Sequence, residues 1–204
     1  MAAGTDATTT TIEWGMSELF SNPRVLKKLR DELERVVGME RMVRESDLPR
    51  LPYLQAVAIE THRFHPPAPL PIPHLSMEDC KVLGYEIPRD TRVYLNVWAI
   101  GRNPKAWEDA QSFVPERFMQ RGSMDERMRN FGWIPFGAGR RRCPGEQLGT
   151  SVVELALGQL VHCFDWTLPG GITVQEVDMS ETNSGLTVHR AQELLAVPTP
   201  RMVL

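Results

Sequence analysis

Cysteine is scarce in this sequence: Cys80, Cys143 and Cys163 are the 3 cysteines among 204 residues. An odd number without Cys-x-x-Cys spacing argues against a disulfide framework and against a structural zinc site, and suits the thiols of a reducing compartment. An excess of either charge is also lacking, with 23 Lys and Arg against 26 Asp and Glu for a formal charge of −3. The chain therefore has no global positive field with which to hold a nucleic-acid backbone. It nowhere approaches the roughly 18 uninterrupted apolar residues of a membrane span, and Met1 to Thr11 has neither the basic stretch nor the apolar core of a signal segment. Repeats and low-complexity tracts are missing as well. The composition, 42% hydrophobic and 7% aromatic with 15 Gly and 16 Pro, excludes collagen, coiled coil and wholesale disorder and fits one ordinary domain.

What is present reads as mainly α with small β-sheets. Residues 2–20 are helix-compatible, with Ile12, Gly15, Met16, Leu19 and Phe20 on one face and no capping residue ahead of Ala2, so the chain is expected to begin inside a helix. Asn22 reads as an N-cap, Pro23 as a first helical residue, and Val25, Leu26, Leu29, Leu33, Val36 and Val37 recur at helical spacing until Gly38. A third helix starts near Pro52, carries Leu54, Val57, Ala58 and Thr61, and ends before Pro66. The prolines of residues 65–73 impose a stiff extended segment. Residues 81–87 predict a hairpin turning at Gly84, and residues 91–95 a strand. No period holds from Asn103 to Trp133. Pro144 is expected to open the last long helix, with Leu148, Val152, Leu155, Ala156, Gln159, Leu160 and Phe164 near one face. Residues 172–177, 186–189 and 194–197 read as closing strands.

The chemistry concentrates at Cys143. The stretch Phe136-Gly137-Ala138-Gly139-Arg140-Arg141-Arg142-Cys143-Pro144-Gly145 sets one cysteine at the end of a glycine-rich loop, just before a helix. A helix start stabilises a thiolate. Gly139 and Gly145 let backbone approach a flat ligand on the sulfur. The arginines offer forked donors to carboxylates, as a group bearing two propionates requires. By themselves, a cysteine near a helix start is commonly a buried small hydrophobe and an arginine run a solvated face. The combination describes an iron porphyrin site better than a hydrolase site. Cys80 and Cys163 lack this setting and read as structural.

Phe136, Gly139, Arg141, Cys143 and Gly145 resemble the cysteine signature of the cytochrome P450 superfamily, the haem-thiolate monooxygenases. Glu60-Thr61-His62-Arg63 resembles the family's Glu-x-x-Arg helix motif, Pro115-Glu116-Arg117-Phe118 its Pro-Glu-Arg-Phe segment, and Ala3-Gly4-Thr5-Asp6 the start of its oxygen-binding helix. The order is the family's, and the wording around the motifs is similar to the plant microsomal branch. The resemblance implies residues 1–204 are the C-terminal part of the P450 fold, from the oxygen-binding helix to the last strands, with the N-terminal half and membrane anchor upstream. It implies haem b (iron protoporphyrin IX) with Cys143 as metal ligand, propionate contacts from Arg141 and His74, and haem-facing roles for Phe136, Gly139 and Gly145. Glu60 and Arg63, three apart on one helix face, would meet Arg117 in a structural network. Asp6 and Thr8 are the candidate proton-relay residues. Ala3, Ala7, Leu70 and Leu186 would contact substrate, with residues 68–72 and the turn around Ser184 as the two wider contact regions.

One position departs from the family pattern. Ala7 stands where threonine is usual, and alanine donates no proton. Thr8 lies about 100° further round a helix, so it does not substitute directly. The reaction implied is insertion of one atom of O2 into a small lipophilic molecule. No nucleotide-binding glycine motif is present, so the electrons would come from NADPH through NADPH-cytochrome P450 reductase. The full-length parent is expected at the cytosolic face of the endoplasmic reticulum membrane, touching the membrane only through its anchor, whereas this chain alone is expected to bind haem poorly. Ala7 also keeps open a haem-thiolate dehydratase or isomerase acting on oxygenated substrates. A non-haem thiol enzyme is a third alternative, resting on Cys143 and the arginine run.

Overall fold

Four long amphipathic segments must bury their apolar sides against one another, and this decides the architecture. The computed structural model describes residues 2–119, 131–182 and 185–202, with side chains from residue 4 onward. Helix α1 runs Ala2–Ser21, α2 Pro23–Val37, α3 Pro52–Phe64, α4 Val97–Gly101 and α5 Glu146–Cys163. Leu19 of α1, Leu29 and Leu33 of α2, Leu54 and Val57 of α3, and Val153, Leu157 and Val161 of α5 form the heart of one buried cluster. Each fully buried aliphatic side chain of this kind stabilises by about 1.5–3 kcal/mol. Two helical glycines permit the closest crossings. A Cβ on Gly15 would lie 3.0 Å from both Leu157 methyls, and one on Gly158 would lie 3.1 Å from a Leu54 methyl.

The small sheets are three antiparallel pairs. Strand β1 (His74–Leu75) pairs with β4 (Arg92–Val93), β2 (Cys80–Val82) with β3 (Tyr85–Ile87), and β5 (Phe164–Thr167) with β6 (Val197–Pro200). The β2–β3 turn places Leu83 at φ 49° and Gly84 at φ 89°, as a two-residue hairpin with right-handed strand twist requires. Residues 66–73 are neither helix nor strand, as their prolines dictate.

Several expectations are corrected. Asn22 precedes α2 and Pro23 opens it, but the Asn22 amide makes no cap bond and donates back to the Glu18 carbonyl and carboxylate. The final helix starts at Glu146 with Gly145 as its cap, so Pro144 lies outside it. Its buried side carries Val153, Leu157, Gly158 and Val161, whereas Leu148 and Val152 are 72% and 42% exposed. The expected apolar face is therefore split, with Leu148 and Val152 outward and Leu155 and Leu160 packed partly buried against the core. Phe164 leaves the helix to begin β5. The strand expected over residues 91–95 shrinks to Arg92–Val93. Residues 172–177 form no strand and contain a 3-10 turn at Val174–Glu176. Residues 186–189 are loop, next to an isolated Glu181–Arg190 bridge, and the last strand starts at Val197 rather than residue 194.

Two buried titratable groups oppose each other in pH. Burial alone pushes the Glu154 carboxyl up from 4.5 to about 7. Burial lowers His62 from 6.5 to about 4, and its Nδ1–H donates to the Ala58 carbonyl at 2.8 Å. The folded state keeps on Glu154 a proton that the unfolded chain releases from pH 4.5 upward, so this group makes stability fall as pH rises to about 7. The unfolded chain binds a proton on His62 below pH 6.5 that the folded state refuses until about 4, so this group makes stability fall as pH drops. Glu154→Gln removes the first slope. Its stability advantage over the unmodified chain is expected to widen by about 2–3 kcal/mol between about pH 5 and pH 8. Denaturant titrations at both pH values check this, and a constant difference would show that Glu154 is not desolvated as described.

Candidate functional site

Glu60 and Arg63 project from α3 onto the segment that carries Pro115-Glu116-Arg117-Phe118. Both side chains are 0% exposed and bond twice, Arg63 Nε to Glu60 Oε2 at 2.7 Å and Arg63 Nη2 to Glu60 Oε1 at 2.8 Å. Glu60 Oε1 also accepts from Arg117 Nε at 3.2 Å and from the Val114 N–H at 2.7 Å. The remaining Arg63 donors reach the carbonyls of Gly101 (2.6 Å), Ala110 (2.9 Å) and Ser112 (2.8 Å). Arg117 adds the Glu108 carbonyl at 2.6 Å. A buried carboxylate and two guanidiniums thus satisfy the carbonyls of an irregular segment that has no ladder of its own. Gly101 is required there, because a Cβ would sit 2.5 Å from the Arg63 carbonyl oxygen.

The Cys143 loop rests on the same helix. Phe136 is half-buried, its ring 5.0 Å from His62 and 6.2 Å from Trp133, and its carbonyl accepts from the Cys143 N–H at 2.9 Å. That bond closes the loop on itself. Gly137 and Gly139 adopt φ of 76° and 71°, conformations open to glycine at no steric cost. Cys143 is exposed as a free thiol, with Gly145 so near that a Cβ on it would lie 3.9 Å from the sulfur. Arg141 ends a 3-10 turn over Gly139–Arg141 and is exposed. Arg142 is instead bound to Glu146 as an ion pair within the first turn of α5.

The α1 threonines divide into two kinds. Thr8, Thr9 and Thr11 donate their hydroxyls to backbone carbonyls one turn back, those of Gly4 (2.7 Å), Thr5 (3.0 Å) and Ala7 (2.8 Å). Thr10 bonds His189 Nδ1 at 2.8 Å, and His189 Nε2 lies 3.5 Å from Asp6 Oδ1. The structure thus joins Asp6 to a histidine that sequence reading passed over, while Thr8 turns back on its own helix. Ala7 is half-buried, and the Ala3 side chain and Ser184 lie outside the described residues. Leu70 and Leu186 are exposed. His74 is exposed in β1 opposite Val93.

A family model for cytochrome P450 matches residues 1–195. The chain is 50% identical over 200 residues to cytochrome P450 71AP13 of Prunus mume, covering 98% of this chain and 38% of that protein. It is 43% identical over 205 residues to flavonoid 3',5'-hydroxylase CYP75B138 of Crocosmia x crocosmiiflora, covering 99% and 39%. Among solved structures, a zebra fish cytochrome P450 with abiraterone superposes with TM-score 0.85 at 33% identity, covering 98% of this chain and 46% of that one. The chain belongs to the cytochrome P450 family and has its fold. It spans about two fifths of the length of these curated relatives. Membership in a family of haem-dependent monooxygenases displaces the reading as a non-haem thiol enzyme.

Arg63→Ala is expected to lower stability by about 3–5 kcal/mol, because it leaves the buried Glu60 carboxylate only the longer Arg117 contact and the Val114 N–H, and takes a donor from three carbonyls. Arg63→Lys is expected to recover less than half of that, since one ammonium does not reproduce the fork. Chemical denaturation of the three proteins checks both, and a loss below about 1 kcal/mol for Arg63→Ala would show the network to be redundant.

Proposed function

We propose that this chain is the haem-thiolate portion of a plant-type microsomal monooxygenase, covering residues 1–204 from the oxygen-binding helix to the last strands. The observation that carries the reading is the exposed Cys143 sulfur in a glycine-framed loop, with Gly145 leaving space beside it. Among the described residues no group of three or more His, Cys, Asp or Glu gathers to hold a metal ion. A single exposed thiol, glycines that leave space beside it and a nearby exposed arginine fit iron protoporphyrin IX, haem b.

In this reading Cys143 would hold the iron of the haem through its sulfur, and the Cys143 N–H to Phe136 carbonyl bond holds the backbone that carries it. Gly139 and Gly145 keep side chains off the ring. Arg141 is exposed with no ion pair among the described residues, and with His74 it is assigned to the propionates. Glu60, Arg63 and Arg117 hold the segment that leads to the loop. Asp6 handles protons on α1, Thr8 flanks it, and Ala3, Ala7, Leu70 and Leu186 line the approach of a small lipophilic substrate. The bound group supplies oxygen activation, with one atom of O2 going into the substrate. Electrons come from NADPH through NADPH-cytochrome P450 reductase. The complete protein works at the cytosolic face of the endoplasmic reticulum membrane, whereas this chain alone has little or no turnover. No described helix is long and apolar enough to cross a membrane.

In the full-length oxygenase carrying this chain, Cys143→Ser is expected to abolish the thiolate-type absorption of the reduced carbon monoxide complex. Retention of that absorption by the serine variant would remove Cys143 from the ligand position.

A further inference from the structure

We propose that His189 reprotonates Asp6, so that Asp6, His189 and Thr10 together do the proton handling for which Ala7 has no hydroxyl. The inference rests on the haem-oxygenase reading of this chain and extends it to a residue on a different element. His189 comes from the loop before β6, with one ring nitrogen bonded to Thr10 and the other facing Asp6. Thr10 Oγ1 bonds Nδ1 at 2.8 Å, and Asp6 Oδ1 stands 3.5 Å from Nε2.

Three further observations single out this array. Thr10 is 1% exposed, so its hydroxyl is a fixed partner rather than a solvated one. The other hydroxyls of the threonine run, those of Thr8, Thr9 and Thr11, are all occupied by backbone carbonyls. The loop is also pinned, with the Thr182 N–H on the His189 carbonyl at 2.8 Å, the Val188 N–H on the Pro67 carbonyl at 2.9 Å, and the Trp14 indole on the Val188 carbonyl at 3.5 Å. A histidine ring fixed in this way costs little further ordering when it acts.

The proton balance is simple. In the tautomer that the relay uses, Thr10 Oγ1 accepts from Nδ1–H, which leaves Nε2 as the exchanging nitrogen. Nε2 takes one proton from water, since 40% of the side chain is exposed, and passes it to Asp6 Oδ1 after that carboxyl has given one up. The imidazole returns to its neutral form with Nδ1–H still on Thr10. No electron moves and no other reactant is needed. His189 acts through Asp6 and is a positioning and relay residue.

The test uses the full-length oxygenase with its reductase. His189→Gln keeps hydrogen-bonding atoms but carries no proton. Product formed per NADPH is expected to fall about tenfold with a matching rise in peroxide, less than the ~10²-fold typical of a positioned acid because water still reaches Asp6. Adding Ala7→Thr to His189→Gln is expected to restore coupling by giving back a hydroxyl beside Asp6, an outcome that a packing role for His189 does not produce. Selective 15N-histidine NMR of the carbon monoxide complex reads the tether without turnover, and Thr10→Val is expected to shift the His189 nitrogens toward the other tautomer. Unchanged coupling in His189→Gln with an intact thiolate spectrum, or unchanged His189 resonances in Thr10→Val, overturns the relay alone. Absence of that spectrum from the unmodified protein overturns the haem assignment beneath it.

Discussion

The Glu60 carboxylate is the point on which the irregular half of this molecule turns. Helices α1, α2, α3 and α5 hold one another by apolar burial, but residues 102–118 have almost no ladder hydrogen bonds and only a small aromatic cluster around Trp107. A chain in that condition leaves carbonyls without partners, and each buried one costs about 1–3 kcal/mol. Arg63 satisfies the carbonyls of Gly101, Ala110 and Ser112 from a single helix position, and Arg117 reaches two more, those of Glu108 and Asp109, and shares that of Ser112. Neither guanidinium would be tolerated at such depth without Glu60 between them. The carboxylate makes two buried cations affordable, and the cations give the segment its shape.

A second constraint binds the ends of the chain together. The face of α1 that carries Thr10, Trp14, Ser17 and Glu18 is buried although half of it is polar. Trp14 stacks on His65 with centroids 3.9 Å apart, His65 Nε2 meets Glu18 Oε1 at 2.7 Å, and the Leu194 N–H donates to Glu13 Oε1 at 2.9 Å. The Pro-rich segment after α3 and the loop before β6 therefore close over α1 from opposite directions in the sequence. A polar face covered in this way costs little only because nearly every group on it has a partner. This closure also brings His189 to Asp6, across a separation of 183 residues that no periodicity could report.

Legibility of the sequence follows from the same distinction between local and distant causes. Helices α2 and α3 were readable to within a residue because Pro23, Gly38, Pro52 and Pro66 punctuate them by their own backbone chemistry. The hairpin at Gly84 was readable for the same reason. Helix α5 was readable as a helix but not as to which side is buried, because Leu148, Val152, Leu155 and Leu160 are as apolar as Val153, Leu157 and Val161. The deciding fact is a glycine, Gly158, that lets Leu54 approach. The strands expected over residues 172–177 and 186–189 are absent, and the last one begins late, at Val197, since β-branched residues in a short run fit a loop as well as a strand and only a partner decides between them.

The site divides along the same line. The Cys143 loop was legible as a unit because its glycines, its cysteine and its arginines are contiguous, and Glu60 with Arg63 because a helix puts residues three apart on one side. Their meeting with Arg117 was supplied by resemblance, not by spacing. What was missed has no local signal at all: Glu32 of α2 accepts the N–H groups of Tyr53 and Leu54 at 2.9 and 3.0 Å and so caps α3 from another helix. In the sequence it is one of several charges along α2. Sequence-local chemistry therefore marks the Cys143 loop, whereas the groups that orient the surrounding helices are assembled by tertiary closure. Within this chain a motif residue such as Arg63 and a silent-looking residue such as Glu32 shape the same helix by different routes, the first through the carbonyls it satisfies and the second through the helix start it caps.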